Sequence, residues 1–349
     1  MSGTWIKCFK EESKMKTINL IIIGFGNIGK GFSDVLLRKE KFLAELGYKF
    51  NVRAISEWNG SIIVHSGEGI NLNEVLELAK NKKFNEHKNF SKKTAKDVLE
   101  EVDADIALEL TPGNIQTGEP GLSNIINALN NDKHVVTSNK SPIALKFNEI
   151  TELAKKHNKK ILYEATVAGA IPLFNLYRET LQINTINNIY GIFNGTTNYI
   201  LTKMTDEGTD FNTALKEAQE LGYAERDASY DLNGYDTAVK VVIAANALMK
   251  RKINFGDVQI SGITGITEEA IKLAKEHNYV IKLIGDCNKS EVSLRLIRKD
   301  SPLNIGGNLN AVMIDTDIAK DITIIGRGAG AIETSSSIFS DVLKIAEEI

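Results

Sequence analysis

The sequence predicts an α/β protein built from a doubly wound parallel sheet and a second, α+β domain. From Thr17 onward, short apolar runs rich in β-branched residues alternate with amphipathic helical stretches, which is typical of repeated β-α units. A turn of the form GxGxxG follows the first apolar run directly. The chain has 349 residues, enough for about two domains of roughly 150 residues each.

The first half of the chain supplies the strands of the parallel sheet. Residues 18–23 predict a buried strand because isoleucine and leucine fill all but one of its positions. A helix over residues 28–46 and a strand over 51–56 complete the first β-α-β unit. The same alternation predicts further strands at 104–109, 134–137 and 160–163, and helices at 122–130 and 144–157.

After Glu164 the turn residues Gly169, Pro172, Gly191 and Gly222 punctuate the chain and strand patterns become fewer, so we place a domain boundary there. A helix over residues 236–250, the longest of this part, is predicted between two strands of a second sheet. Glycines cluster again at residues 326–330, before a final helix at 334–349. The strands predicted for the second sheet are 185–193, 279–285, 292–298 and 311–314.

Composition and charge exclude several classes of function. Lys and Arg number 42 against 45 Asp and Glu, and this net charge of −3 predicts no nucleic-acid partner. The longest apolar runs, 18–23 and 241–245, are far shorter than the roughly 20 residues that span a bilayer. Five scattered histidines and two cysteines predict neither a zinc site nor a disulfide framework. So few cysteines suit a reducing compartment, which predicts a cytoplasmic location.

The first 14 residues belong to neither of the two predicted domains. They carry charges and lack the apolar core of a signal peptide. Because Met15 directly precedes the first strand, we expect residues 1–14 to be either a loose N-terminal extension or a mis-assigned start.

The turn at residues 24–29 has the pattern of a dinucleotide-binding loop. It follows a strand and opens a helix, so its glycines permit a tight bend and the helix N-terminus faces a pyrophosphate, as in a Rossmann-type domain. The alternative is a glycine-rich turn that only packs strand against helix. All three glycines stand at fingerprint positions, which favours dinucleotide binding. The cofactor-binding residues predicted here are Gly24, Gly26, Asn27, Ile28 and Gly29.

The residue at the end of the second strand normally decides between NAD and NADP. An acid there hydrogen-bonds the ribose hydroxyls of NAD, whereas Arg or Lys pairs with the 2′-phosphate of NADP. Glu57 favours NAD, although it follows Gly24 at a greater distance than usual. Arg38 or Arg53 would be the residues to meet a phosphate, and an exposed acid at a strand end is the structural alternative for Glu57. The preference between the two cofactors stays open.

Lys240 is the only charged residue between Asp236 and Lys250 in an otherwise apolar helix. Its neighbours are β-branched residues of the kind that a core helix buries. Asp236 lies one turn earlier on the same helical face. Burial lowers the pKa of an ammonium group and a carboxylate opposes that shift, so such a pair can hold a proton donor. The alternative is a lysine that extends to solvent and forms a surface ion pair.

Acidic residues cluster just before this helix. Such a cluster can bind an ammonium group, coordinate a cation or form a solvated turn, and the spacing excludes an EF-hand. Lys140 follows the strand at 134–137, at the sheet edge where α/β proteins bind ligands. It is therefore a candidate partner for a substrate carboxylate, or an ordinary surface lysine. The acids of the cluster are Glu220, Glu225, Asp227, Asp231 and Asp236.

Three long motifs carry a family resemblance: YGIFNGTTNYIL at residues 190–201, AQELGYAERD at 218–227 and DLNGYD at 231–236. With them the chain resembles homoserine dehydrogenases from about Thr17 to Leu343. The similarity includes VTSNK at residues 136–140, EATV at 164–167 and the late glycine cluster. The resemblance implies a reversible, NAD(P)-dependent reduction of L-aspartate 4-semialdehyde to L-homoserine, on the route to threonine, methionine and isoleucine.

The resemblance also implies roles for individual residues. Lys240 matches the family's proposed catalytic lysine, and Asp236 matches its carboxylate partner. Lys140 matches a second lysine near substrate and cofactor, either a proton relay or a carboxylate anchor. The implied substrate-binding residues are Glu225, Asp231, Asp236, Lys140, Gly195 and Thr196, and the further cofactor-binding residues are Glu57, Thr111, Lys140, Gly328 and Ala329.

Domain organisation and partners follow from the same resemblance. It implies a homodimer formed through the second sheet, and a final helix that returns to pack on the first domain. We therefore expect an extension at residues 1–14, a dinucleotide-binding domain at 15–164 plus about 325–349, and a substrate-binding and dimerisation domain at 165–324. Because the sequence ends after that helix, we expect no regulatory domain. The resemblance further implies a monovalent cation such as Na⁺ near the hinge, at Glu164, Val167 and Gly169.

Some positions depart from the family pattern, and two other functions compete. Arg327 and Ala228 replace prolines, and residues 167–170 replace a glycine-rich hinge, but no candidate catalytic residue is lost.

The alternatives are a non-catalytic NAD(P)-binding regulator on the same fold and a dehydrogenase with a cysteine nucleophile. Retention of the lysines and acids argues against the first. Neither Cys8 nor Cys287 lies in a nucleophile motif, which argues against the second.

Overall fold

A computed structural model of the chain describes residues 15–65, 67 and 69–349. The extension predicted at residues 1–14 lies outside these residues. The described chain forms a seven-stranded sheet and a six-stranded sheet. The predicted α/β class, with a largely parallel sheet followed by a second sheet, is confirmed.

The first sheet and the helices between its strands occupy residues 16–162. Their bounds are β1 (Lys16–Ile23), α1 (Asn27–Glu45), β2 (Tyr48–Glu57), β3 (Gly60–Ile63), α2 (Leu72–Lys80), β4 (Phe90–Ser91), α3 (Ala95–Glu101), β5 (Ile106–Glu109), α4 (Gly121–Asn130), β6 (His134–Thr137), α5 (Lys140–Lys156) and β7 (Ile161–Leu162). The strand order is β4-β3-β2-β1-β5-β6-β7.

Five neighbouring strands run parallel to one another, and these are β2, β1, β5, β6 and β7. Parallel strands are covered on both faces, which is why β1 reads as one apolar run. The antiparallel strands β3 and β4 were not predicted. A two-residue turn at Trp58 and Asn59 joins β2 to β3, and so short a connection permits only antiparallel pairing.

The second sheet carries the later elements in the order β13-β12-β8-β10-β11-β9. Its neighbouring strands are antiparallel except β9, which runs parallel to β11. The bounds are α6 (Leu173–Thr180), β8 (Ile186–Ile192), α7 (Gly195–Glu207), α8 (Phe211–Glu220), α9 (Ser229–Leu232), α10 (Tyr235–Leu248), β9 (Gln259–Ile260), α11 (Glu268–Glu276), β10 (Tyr279–Asp286), β11 (Glu291–Arg298), β12 (Leu309–Thr316), β13 (Asp321–Arg327) and α12 (Ala331–Ala346).

Helix α10 packs between the second sheet and α5, and nearly all of its residues are buried. This burial explains its apolar composition, because a helix that is apolar all round belongs in a core. Helix α7 lies against β10 and β12 of the same sheet. The two helices begin near each other, so the motifs at residues 190–201 and 231–236 meet at one end of the second domain.

The last helix, α12, returns to the first sheet and packs against α1. The rings of Phe32 and Phe339 stack with centroids 4.3 Å apart, and Lys16 Nζ donates to the carbonyl of Ala346 at 2.9 Å. Strand β13 pairs with β12 as far as Arg327. The segment that returns to the first sheet therefore starts after residue 327, and the domain boundaries at 164 and about 325 stay predictions.

Element bounds differ from the predictions in instructive places. Helix α5 begins at Lys140, not 144, because Asn139 caps it by accepting from the N–H of Ser141 at 3.2 Å. Strand β13 was not predicted, and only its last two residues belong to the predicted glycine cluster; Ile322 and Ile324 pack against the core. Within the described residues, no helix is both long and apolar enough to cross a membrane.

Candidate active site

The glycine turn between β1 and α1 has little space for side chains. Gly24 has φ +92°, and a Cβ there would lie 2.7 Å from the backbone of Leu110. A Cβ on Gly29 would lie 2.3 Å from the carbonyl oxygen of Gly24, so Gly29 is needed for close packing of helix on strand. Gly26 has open space around its Cβ position and stands at the N-terminus of α1. That helix terminus can receive an anion.

A cavity of about 1190 Å³ runs along the carboxyl edge of the first sheet. The glycine turn forms its centre, Trp58 and Asn59 lie at one end and Lys140 at the other. Predicted cofactor residues that line it are Gly24, Gly26, Asn27, Ile28, Glu57, Thr111 and Lys140. Gly29 does not line the cavity, in keeping with its packing role.

Glu57 is tied to the glycine turn. Its Oε1 accepts a hydrogen bond from the backbone N–H of Phe25 at 2.7 Å. The two arginines considered as phosphate ligands are engaged elsewhere: Arg38 pairs with Asp34, and Arg53 donates to the carbonyls of His65 and Gly67. Neither arginine lines the cavity. Glu57 thus stands where sheets of this kind contact the adenosine ribose, and Lys92 and Lys93 line the same cavity.

Glu109 is a buried carboxyl next to two cavity-lining residues, Leu110 and Thr111, and it was not predicted from the sequence. It lies at the end of β5, where Thr111 N donates to Oε1 at 3.2 Å, and Thr137 Oγ1 donates to its backbone carbonyl at 2.8 Å. Burial raises the pKa of Glu109, although hydrogen bonds from Thr111, Asn124 and Thr137 oppose the rise. Thr137 Oγ1 also accepts from the N–H of Asn139, the residue before Lys140. Glu109 thus links the loops after β5 and β6.

Lys240, Asp236 and Lys140 form one charged group between the two domains. Lys240 Nζ donates to Asp236 Oδ2 and to the carbonyl of Phe193, both at 2.6 Å, and only 7% of Lys240 is exposed. Lys140, at the start of α5, places its Nζ 3.3 Å from Asp236 Oδ1. Lys240 therefore does not extend to bulk solvent, which rules out the surface ion pair considered as the alternative.

Asn194 organises the acids around this group. Its Nδ2 donates to Asp231 Oδ1 at 2.7 Å and to Asp236 Oδ2 at 2.9 Å, while its Oδ1 caps α7 by accepting from the N–H of Thr197. The family resemblance implies roles for Gly195 and Thr196 but none for Asn194. The signal for it was an asparagine at a helix start, where a side-chain amide caps the helix.

The surroundings of Asp231 and Asp236 shift the pKa values of these two aspartates in opposite directions. Burial alone would raise the pKa of Asp236, but Lys240, Lys140 and the hydrogen bonds from Lys240 and Asn194 outweigh burial and hold that pKa below its usual range. For Asp231, burial and then the charge of Asp236 outweigh the hydrogen bond from Asn194 and the charges of the two lysines, so its pKa is raised. Asp236 is thus a firm anion beside Lys240.

A second cavity of about 720 Å³ contains this group. It shares Ile28, Ser138, Lys140 and Tyr230 with the first cavity, so the two are continuous at Lys140. The structure thereby brings together in one space the following predicted residues: Lys140, Gly169, Gly195, Thr196, Glu225, Asp231, Asp236, Lys240, Gly328 and Ala329. Glu225 is exposed, and Thr196 donates to the carbonyl of Tyr223 at 2.6 Å.

The late glycine loop closes one side of the second cavity. A Cβ on Gly328 would lie 2.1 Å from Nδ2 of Asn310, so this glycine is required by packing. Asn310 is completely buried, and neither polar atom of its side chain has a hydrogen-bond partner among the described residues. Arg327, which departs from the family pattern, is exposed and lies 3.6 Å from Glu333.

The predicted cation position borders the second cavity, which Gly169 lines. Oxygen donors of this kind suit Na⁺, but both carboxylate oxygens of Glu164 accept backbone N–H groups, from Phe174 at 2.9 Å and Asn175 at 2.7 Å. The Gly169 carbonyl accepts from Ser337 Oγ at 2.6 Å. Among the described residues, no set of three or more His, Cys, Asp or Glu is placed to hold a metal. The cation at Glu164, Val167 and Gly169 stays a prediction.

Comparison with known proteins decides the family. A family model described as homoserine dehydrogenase matches residues 172–343, and a second, its NAD binding domain, matches residues 24–164. A homoserine dehydrogenase of Methanocaldococcus jannaschii is 46% identical over 94% of this chain and 98% of its own length. The chain belongs to the homoserine dehydrogenase family. Its function is accordingly an NAD(P)-dependent oxidoreductase activity of this type, and no finding supports a non-catalytic regulator.

Solved structures of homoserine dehydrogenases share the fold. The crystal structure of a candidate homoserine dehydrogenase from Archaeoglobus fulgidus is 39% identical, with a TM-score of 0.86, and the match covers 94% of this chain and 99% of that one. A hyperthermophilic archaeal homoserine dehydrogenase in complex with NADPH is 27% identical, with a TM-score of 0.82 and coverage of 96% and 99%. Among the described residues, Cys287 does not suit the cysteine-nucleophile alternative, because it is completely buried and burial raises its pKa; Cys8 lies outside the described residues.

Proposed function

We propose that Lys240 is the acid–base residue of a reversible reduction of L-aspartate 4-semialdehyde to L-homoserine. The observation that carries the proposal is the contact of Lys240 with Asp236, in a cavity continuous with the glycine-turn cavity. When bound, a reduced nicotinamide supplies the hydride to the carbonyl carbon. Lys240 gives a proton to the carbonyl oxygen, and in the reverse direction it accepts the proton of the hydroxyl group.

The contacts of Lys240 suit this role. An ammonium group has three N–H donors, and the hydrogen bonds to Asp236 and Phe193 use two of them. Because Lys240 also lines the cavity, the third donor is available to a substrate oxygen. Asp236 holds the ammonium group in place and compensates its burial, so it is both a partner and a positioning residue.

The charges around the second cavity match an amino acid substrate. Its ammonium group requires anionic partners, which Asp231 and Glu225 supply, and its carboxylate requires a cation, which Lys140 supplies. Lys140 also lies where the two cavities join, so a role as proton relay remains the alternative for it. Gly195 and Thr196, at the start of α7, complete the substrate wall.

The cofactor-binding residues are proposed from the first cavity and the late glycine loop. The N–H groups of the turn at residues 24–29 would hold the pyrophosphate, and Glu57 the adenosine ribose. Glu57, an acid at the ribose position, supports NAD as the preferred cofactor over NADP, for which Lys92 and Lys93 on the same cavity are the candidate partners of a 2′-phosphate. Thr111, Lys140, Gly328 and Ala329 would face the nicotinamide half.

The test of the mechanism is the spectrophotometric assay of L-homoserine oxidation with NAD and with NADP. Lys240→Ala is expected to lower kcat by roughly two to four orders of magnitude, the scale of a general acid–base residue, while the cofactor still binds. The matched control is Lys133→Ala. Lys133 is another buried lysine, 5% exposed, and it lies just before β6, at the end of that strand away from Lys140. Unchanged turnover in Lys240→Ala would remove the mechanism.

Lys140→Ala separates the two roles proposed for that residue. A carboxylate anchor raises KM for homoserine more than it lowers kcat, whereas a relay mainly lowers kcat. The homodimer, the cytoplasmic location and the Na⁺ site at Glu164, Val167 and Gly169 belong to the same proposal. Sedimentation, cell fractionation and thermal stability measured in Na⁺ against a bulky organic cation test them in turn.

A further inference from the structure

Trp58 is the most exposed of the large apolar side chains in the described part of the chain, at 92%. It occupies the two-residue turn between β2 and β3, directly after Glu57. Turns of this length favour glycine, asparagine and aspartate, and here Asn59 stands in the turn while Gly60, with φ +145°, begins β3. The turn therefore does not require tryptophan, and the indole ring adds nothing to the core.

The position of Trp58 in the cavity gives the ring a partner. Together with Glu57 and Asn59 it lines one end of the 1190 Å³ cavity, and residues 92–95 line the same cavity from the segment before α3. In sheets of this kind the pyrophosphate lies at the glycine turn and the adenosine ribose at the end of the second strand. The base of that adenosine then lies beyond Glu57, at the end that contains Trp58.

We propose that Trp58 binds the adenine ring of the dinucleotide by stacking. This inference rests on the proposed function, since it assumes the dinucleotide along the glycine turn. An indole ring offers a large flat surface, and adenine is a flat π-system, so the two favour parallel contact that removes both from water. Lys140 and Lys240 lie at the other end of the continuous cavities, so Trp58 acts on cofactor affinity and not on the proton transfer.

The first experiment reads the contact directly. The chain has two tryptophans, Trp5 and Trp58, so Trp5→Phe leaves Trp58 as the only indole. Addition of ADP-ribose, which contains the adenine half without nicotinamide, is expected to quench the fluorescence of this variant in a saturable manner. Nicotinamide mononucleotide, which lacks adenine, is expected to leave the fluorescence unchanged.

The second experiment measures affinity by calorimetry. Trp58→Ala is expected to weaken ADP-ribose and NAD by about 5- to 50-fold, the scale of one base stacked on an aromatic ring. Trp58→Phe, which keeps a flat ring, is expected to recover most of the loss. The matched control is Phe42→Ala, which removes another exposed aromatic, 53% exposed, from outside the cavity. In steady-state assays, Trp58→Ala raises KM for the dinucleotide more than it lowers kcat.

The outcomes separate this inference from the function on which it rests. If the unsubstituted chain binds ADP-ribose and Trp58→Ala binds it within about twofold, the stacking role is wrong and the proposed function stands. A change in oligomeric state of Trp58→Ala without loss of affinity assigns the ring to a protein contact and likewise overturns the inference. If the unsubstituted chain binds neither ADP-ribose nor NAD, both the proposed placement of the cofactor and this inference are wrong.

Discussion

Asp236→Asn tests the charged group at the centre of the site. Asparagine has nearly the same shape, and it keeps an oxygen that can accept from Lys240, but it removes the negative charge. The substitution leaves Lys240, which is only 7% exposed, without its ionic partner. Lys140, whose side chain is 34% exposed, can turn toward solvent. The main cost therefore comes from one unpaired buried ammonium group.

The magnitude follows from the distances. At an effective dielectric constant of about 20, unit charges 2.6 Å apart attract by roughly 6 kcal/mol. Desolvation offsets part of this attraction, and removal of one partner of a buried pair costs about 3–5 kcal/mol. Because the asparagine keeps an acceptor, we expect a loss of about 3 kcal/mol, or roughly 5 °C in Tm for a chain of this size.

Thermal unfolding at several pH values measures this loss. The pKa of Asp236 is lower in the folded chain than its ordinary value of 3.8. Its contribution to stability is therefore complete above about pH 4 and is lost as the pH falls through the lower, folded value. The difference between the two proteins should be full at pH 7 and shrink in acid. Equal Tm values at pH 7, or a difference that grows in acid, would refute the reasoning.

Three further substitutions test other parts of the molecule. Glu57→Gln keeps the acceptor for Phe25 but removes the charge that repels a 2′-phosphate, so kcat/KM for NADP should rise relative to NAD by roughly tenfold. Burial lowers the pKa of Lys282 to about 8, so the unsubstituted chain should gain about 3 kcal/mol relative to Lys282→Met between about pH 8 and 10.5, measured by urea unfolding. Gly328→Ala should raise KM for the cofactor by roughly tenfold because its Cβ meets Asn310.

Each of these has an outcome that contradicts it. An unchanged cofactor ratio in Glu57→Gln means that the carboxylate does not face the ribose. Parallel stability curves for the chain and for Lys282→Met mean that this lysine titrates alike in the folded and unfolded states. For Gly328→Ala, the second substitution Asn310→Ala should restore part of the affinity, and a KM that stays high shows that the clash lies elsewhere.

The local features of the site could be predicted from the sequence. Lys240 could be singled out because a charge within an apolar helix is conspicuous, and Asp236 because helical spacing places it one turn away. The glycine turn was recognisable because strand, turn and helix are consecutive in the chain. The family resemblance and the α/β class are confirmed. These features depend on residues that are near each other in sequence.

Features that depend on residues distant in sequence could not be predicted. No spacing rule connects Gly328 to Asn310, or Glu109 to Thr137, because these contacts form only when separate strands align. Asn194 bridges two aspartates of a later motif, and its role follows from the approach of α7 to α10. The engagement of Arg53 with the loop after β3 likewise required coordinates, since the residue type alone suits a phosphate equally well.

The position of α12 has a consequence for biosynthesis. Ile338, Phe339, Val342 and Ile345 belong to the same apolar core as Leu20 and Phe32 of the first sheet. During synthesis on the ribosome, the core of the first sheet therefore becomes complete only after nearly the whole chain has been translated. Domains fold as their residues emerge, so the half that is made second can finish first, and the nascent nucleotide-binding half needs protection from aggregation until then.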